Sequence, residues 1–228
     1  MFQNDIVGIV LVYLYVAVLL IFTEKILPKR YPIASRKILH IMTGNIAFLL
    51  PIFQTREVMA FLAAGPFILF TFLMSPYSPI KSIKGKTSES GHGLGLVYYA
   101  IAWTVLAYFF FDAKETIAIG ILAMSYGDGL ASLIGIKYGK KKYQVFEDVK
   151  SYVGSTAMFV FTFILMVIAL LYYQMFSSTI PPLIFETLVL LLFIAGISTI
   201  VEGITPMGLD NLSVPFVTAT LYWIVMVI

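Results

Sequence analysis

Hydrophobic residues in this chain come in long runs, not in alternation. Between short polar breaks lie stretches of about 17–25 residues with almost no charge, the length that carries a helix across the hydrocarbon of a bilayer. They fall near 6–27, 38–54, 57–75, 93–111, 115–136, 155–176, 183–203 and 211–228, so eight spanning helices are predicted. The second and the last are the shortest. The expected fold class is an all-α integral membrane helical bundle with short loops, one polytopic domain over 1–228. The first run is read as a retained span. Asp5 stands where a signal peptide would carry a basic n-region, and no small-residue cleavage site follows. The longest polar stretches, 76–92 and 137–154, leave no room for a soluble domain.

Composition agrees with that pattern. Hydrophobic residues make up 60% of the chain and charged residues 12%, against about 25% charge in a soluble domain. The absence of cysteine excludes a disulfide framework. Charge distribution adds sidedness. Alternate loops on one side hold Lys25, Lys29, Arg30, Arg36 and Lys37, then Lys81, Lys84 and Lys86, then Lys137, Lys140, Lys141, Lys142 and Lys150. The other side holds Arg56 and Lys114. Thirteen against two puts the basic loops in the cytoplasm and both termini outside. Sidedness and anionic lipid account for most of these lysines, which leaves nucleic-acid binding without support.

Polar residues inside the apolar runs carry the candidate chemistry. Asp128 sits in AMSYGDGLASLIG, nine residues before Lys137, or roughly 13 Å from the cytoplasmic helix end. A carboxylate at that depth costs about 2.5–3.5 kcal/mol on insertion scales and requires a partner. Ser125 and Ser132 are expected on its helix face, and Gly127 and Gly129 clear space around it for a ligand or another backbone. Glu202 ends the seventh run, with Asp210 and Asn211 following on the same side after a turn made by Gly203, Pro206 and Gly208. Taken alone, each has an ordinary structural role open to it: interface contact for Glu202, a helix cap for Asp210. Together with Asp128 they form an oxygen-rich set of the type that holds Mg²⁺ with water and phosphates. In SRKILHIMTG, Lys37 and His40 share a face with Ile41 and Gly44. In VKSYVGST, Lys150, Ser151, Gly154 and Ser155 open a helix as a possible phosphate cradle, though not as a Walker A loop. Ser-His-Asp catalysis is excluded, because neither His40 nor His92 stands near a nucleophile elbow.

The order RKILHIMTG, LVYYAIAWTVL, GDGLASLIGIKYG, VKSYVGSTAMF, LDNLSVPF resembles the CTP-dependent polyprenol kinase family over about residues 36–217. That family includes phytol, farnesol and dolichol kinases and a fungal-type diacylglycerol kinase. The resemblance is closest to the phytol kinase branch, in the GDG and DN-L-x-V-P segments. It implies phosphoryl transfer from CTP to a lipid alcohol with a divalent metal. It also implies an active site at Asp128, Lys150, Ser151, Gly154, Asp210 and Asn211. On this reading Asp128 would hold the metal or take the proton of the alcohol, and Lys37 and Lys150 would neutralise nucleotide phosphates. The partners expected are nucleotide, lipid alcohol and membrane lipid. Two other readings use similar parts. A diacylglycerol kinase or CDP-lipid synthase would also take CTP. An ion-coupled transporter would use intramembrane acids, but here the acids cluster near one face and no inverted repeat is visible.

Overall fold

The computed structural model describes residues 2–23, 32–80 and 93–226. Among these the chain forms eight helical rods and one hairpin. Helix α1 spans Gln3–Ile21. Helix α2, Pro32–Thr43, tightens into 3₁₀ turns over Gly44–Ile52. Helix α3 spans Val58–Met74, α4 Gly95–Phe109 and α5 Lys114–Tyr138. A hairpin of β1 (Lys142–Val145) and β2 (Asp148–Ser151) leads into α6, Tyr152–Gln174. Helices α7, Phe185–Ile204, and α8, Asp210–Met226, complete the bundle.

Local chemistry explains the irregular turns. Pro66 has no N–H to donate, and α3 opens in wide π-type turns over Val58–Ala64 just before it. There the Gly65 N–H reaches back to the Ala60 carbonyl at 2.8 Å. A second π-type segment, Ala123–Asp128, interrupts α5. The polar stretch 137–154, expected to link two helices, carries a small hairpin. It folds back as an antiparallel pair, with Lys142 opposite Ser151, around a turn in which Phe146 takes a positive φ of 52°.

Helices α1, α5, α6 and α7 are long and apolar enough to cross a membrane, while α3 and α4 are shorter apolar helices. Helix α5 is the central one. Of its apolar window 72% is buried inside the protein, against 28% for the peripheral α1. Its core face meets α6 and α8 through side chains such as Ile117, Met124, Met158 and Tyr222, all fully buried.

Successive rods alternate in direction. At one end the buried Asp5 accepts from Gln54 N–H at 2.8 Å, Thr55 N–H at 3.1 Å, Thr55 Oγ1 at 2.6 Å and Phe2 N–H at 3.1 Å. Arg56 pairs with Asp112 at the same end. At the opposite end Lys37, Lys150, Glu202 and the Met207 turn converge. Lys25, Lys29, Arg30, Lys81, Lys84, Lys86 and His92 lie outside the described residues.

Candidate active site

The wide turns of α5 set the depth and aim of Asp128. Gly127 and Gly129 bring two neighbours directly against it. A Cβ on Gly129 would strike Ile41 of α2, and one on Gly127 would meet Met158 and Thr162 of α6. With glycine at both positions, α2 and α6 lie on the backbone of α5 on either side of the carboxylate. Helix α2 then presents Lys37 and His40, three residues apart on one face. Lys37 Nζ is 3.6 Å from Asp128 Oδ2, and His40 Nε2 is 3.4 Å from the same oxygen. His40 Nε2 also lies 3.0 Å from the carbonyl of Met124, a residue of the π-type segment. A carbonyl can only accept, so Nε2 carries the proton. Tyr99 braces the ring edge-on at 4.9 Å and donates to the His40 carbonyl at 3.3 Å.

Ser132 lines the cavity beside Asp128, whereas Ser125 does not. Ser125 is fully buried and shares a 2.7 Å hydrogen bond with the Tyr99 hydroxyl. The π-type turns account for this correction. More than 3.6 residues per turn rotate a side chain three positions before Asp128 off its face.

The other half of the site comes from the hairpin and the α7–α8 turn. Ser151 caps α6 by accepting from the Gly154 N–H at 3.1 Å. Ser155 Oγ bonds the Tyr143 hydroxyl at 2.7 Å. One residue before the cap, Lys150 Nζ lies 2.7 Å from Glu202 Oε1 and 3.8 Å from Asp210 Oδ2. Burial pulls its ammonium pKa down, but the carboxylates of Glu202 and Asp210 outweigh that, and the pKa stands above the ordinary lysine value. Met207 (φ 56°) and Gly208 (φ 75°) make the sharp turn before α8. The Met207 N–H fastens that turn to Asp148 Oδ2 of the hairpin at 2.6 Å.

The two halves meet. Asp128, Glu202 and Asp210 each offer a carboxylate oxygen, and these oxygens lie within 4.8 Å of one another. Asn211 beside them has a buried Oδ1 with no hydrogen-bond partner among the described residues. Three carboxylates and an unpaired amide oxygen suit a hard divalent cation such as Mg²⁺. Around them lies a polar cavity of about 320 Å³. Arg36 and Lys142, which the sequence assigns to sidedness, line it as well as Lys37 and Lys150. Arg36 reaches the cavity over Gly95, where a Cβ would come within 2.9 Å of Arg36 Nη2 and 3.3 Å of Asn211 Nδ2, a closeness the sequence does not announce. Lys142 reaches it through the hairpin.

A second, apolar groove of about 90 Å³ runs between α1, α2, α3 and α4. His40 and Leu96 line both cavities. The groove therefore ends at the charged site.

Curated relatives resemble most of the chain. A "Phytol kinase" from Synechocystis sp. is 32% identical over 195 residues, covering 83% of this chain and 78% of the relative. A "Probable phytol kinase, chloroplastic" from Triticum aestivum and "Phytol kinase 1, chloroplastic" from Arabidopsis thaliana are each 32% identical, over 81% of this chain. The chain spans 64% of the length of these two plant proteins. No protein-family model matches it, and no solved structure does.

Proposed function

Since the chain belongs to the phytol kinase family, we propose that it transfers a phosphoryl group from a nucleoside triphosphate to the hydroxyl of an isoprenoid alcohol. CTP is the donor we propose, and the reaction takes place at the cytoplasmic face. In this reading all eight rods cross the membrane and both termini lie outside. The observation that carries the reading is the junction at His40 and Leu96, where an apolar groove opens into a charged cavity. An amphiphile with a hydroxyl at one end fits that shape, and a nucleotide fits the charge.

The groups divide the work as follows. The alcohol tail lies in the groove, with its hydroxyl at the His40 end. Asp128 takes the hydroxyl proton as the oxygen attacks the γ-phosphorus. The bond from that phosphorus to its bridging oxygen breaks, and the nucleoside diphosphate leaves. Lys37 and His40 hold the Asp128 carboxylate in place through Oδ2. Asp128, Glu202, Asp210 and Asn211 would hold Mg²⁺, which supplies charge neutralisation for the phosphates. Arg36, Lys37 and Lys150 add positive charge where the transferring group gathers negative charge. Ser151 and Ser155 at the start of α6 offer hydroxyls to the nucleotide phosphates, and Gly154, whose N–H the Ser151 cap holds, keeps that helix start close against α5.

The test is incubation of the purified protein with labelled CTP or ATP, Mg²⁺ and a panel of lipid alcohols. A phosphorylated alcohol is expected, with loss of product on chelation. A CDP-lipid with pyrophosphate would assign the chain to nucleotidyl transfer instead.

A further inference from the structure

We infer that Phe53 is a length stop, which limits the alcohols this protein phosphorylates to short isoprenoids of about fifteen to twenty carbons. The inference rests on the kinase reading and concerns the far end of the groove. At the site end the walls are His40, Leu96 and Met74. At the other end they are Phe53, Leu50 and Met59, each 2% exposed or less. Phe53 closes that end as a flat ring at the end of the 3₁₀ turns of α2.

The stop is rigid. A Cβ on Gly8 of α1 would come within 2.7 Å of Phe53 Cζ, so the ring already sits on bare backbone. Its own N–H donates to the Leu50 carbonyl at 3.1 Å. The next two residues, Gln54 and Thr55, are held by Asp5 Oδ1 at 2.8 and 3.1 Å. A tail reaching this wall meets packed ring and satisfied backbone, and neither yields without disturbing the α1–α2 contact.

The length of the groove follows from α4, whose residues Leu96 and Ala107 line its two ends. Eleven residues at the helical rise span about 16 Å. Each carbon–carbon bond of an extended chain advances about 1.3 Å, so this length takes about 12–13 main-chain carbons. Farnesol fits extended, and a C20 alcohol fits with modest bending. A C45 polyprenol has roughly three times that length and cannot seat its hydroxyl at His40 with its tail inside.

Rates of phosphorylation of geraniol (C10), farnesol (C15), geranylgeraniol (C20) and solanesol (C45) test the stop. The full chain is assayed in detergent micelles as the wild type and two variants. The wild type should phosphorylate C15 and C20 at least about tenfold faster than C45. Phe53→Ala should raise the C45-to-C20 ratio by about tenfold. Ala64→Phe places a ring on the half-buried wall of α3, short of the stop. It should lower C20 relative to C10 by about tenfold, and this variant decides the matter where Phe53→Ala does not fold. Equal rates on C20 and C45 by the wild type would overturn the inference, as would a length profile unmoved by Ala64→Phe. No phosphorylation of any alcohol by the wild type would instead overturn the kinase reading beneath it.

Discussion

Lys150 Nζ lies 2.7 Å from Glu202 Oε1 and donates as well to the main-chain carbonyl of Glu202. One ammonium thus ties the hairpin to the end of α7, with Asp210 of α8 at 3.8 Å. Lys150→Ala should do two things. It leaves the buried Glu202 and the half-buried Asp210 without their cation, a loss of about 3 kcal/mol. It should also raise the KM for nucleotide with little change in the KM for alcohol. Lys150→Arg should restore stability more than activity, because a planar fork does not replace a point charge between two acids. Steady-state kinetics with each substrate varied, beside thermal melts, separate the effects. A defect confined to the alcohol KM would remove Lys150 from the phosphate side.

Asp128→Asn keeps shape and removes charge. The neighbours Lys37 and His40 remain, at 3.6 and 3.4 Å from the altered side chain. Phosphoryl transfer should fall about 100-fold or more in kcat, while the protein still elutes as a folded species. Lys141→Ala, at an exposed position between α5 and the hairpin, serves as the control and should stay within about twofold. Near-normal turnover of Asp128→Asn would make the carboxylate structural.

Gly129→Ala tests the contact that seats α2 on α5. The new methyl would collide with Ile41 Cγ1 and Cδ1 and push His40 and Lys37 away from Asp128. Activity should fall by about tenfold or more, since small misplacements at a reacting centre are costly. Removing the obstacle in the double variant Gly129→Ala, Ile41→Ala should restore part of it. If the single variant is silent, close contact at this point is not needed for turnover.

Topology can be read with single cysteines, because the native chain has none. Lys141→Cys and Ser178→Cys occupy exposed positions at opposite ends of α6. Impermeant thiol reagents added to intact cells should label Ser178→Cys and reach Lys141→Cys only after permeabilisation. Labelling of both from one side would break the eight-span arrangement.

Residues that are costly where they stand were the most legible in the sequence. Asp128, His40 and Glu202 interrupt apolar runs and Lys37 stands at the edge of one, and intramembrane charge needs a partner. Asp128 pairs with Lys37 and His40, and Glu202 pairs with Lys150. Less legible were features that depend on phase or on distant chain. Ser125 left its expected face because wide turns break the 3.6-residue period. Arg36 and Lys142 were hidden among charges that sidedness already explained. The hairpin was hidden because four-residue strands in a polar stretch carry little pattern. The groove and its end wall are built from four helices, and no single segment announces them.

The clamp at Asp5 bears on how the molecule is made. Its partners Gln54 and Thr55 are translated about fifty residues later. Within α1 itself the donor to Asp5 is the Phe2 N–H, and the other donors come from the α2–α3 turn. The clamp therefore cannot close until the α2–α3 turn has been made. Until then one wall of the groove is missing and the ring of Phe53 has no Gly8 to rest on. Helix α1 is thus held at this end only once residue 55 has followed it, and a chain cut before that residue would have neither a closed groove nor a clamped Asp5.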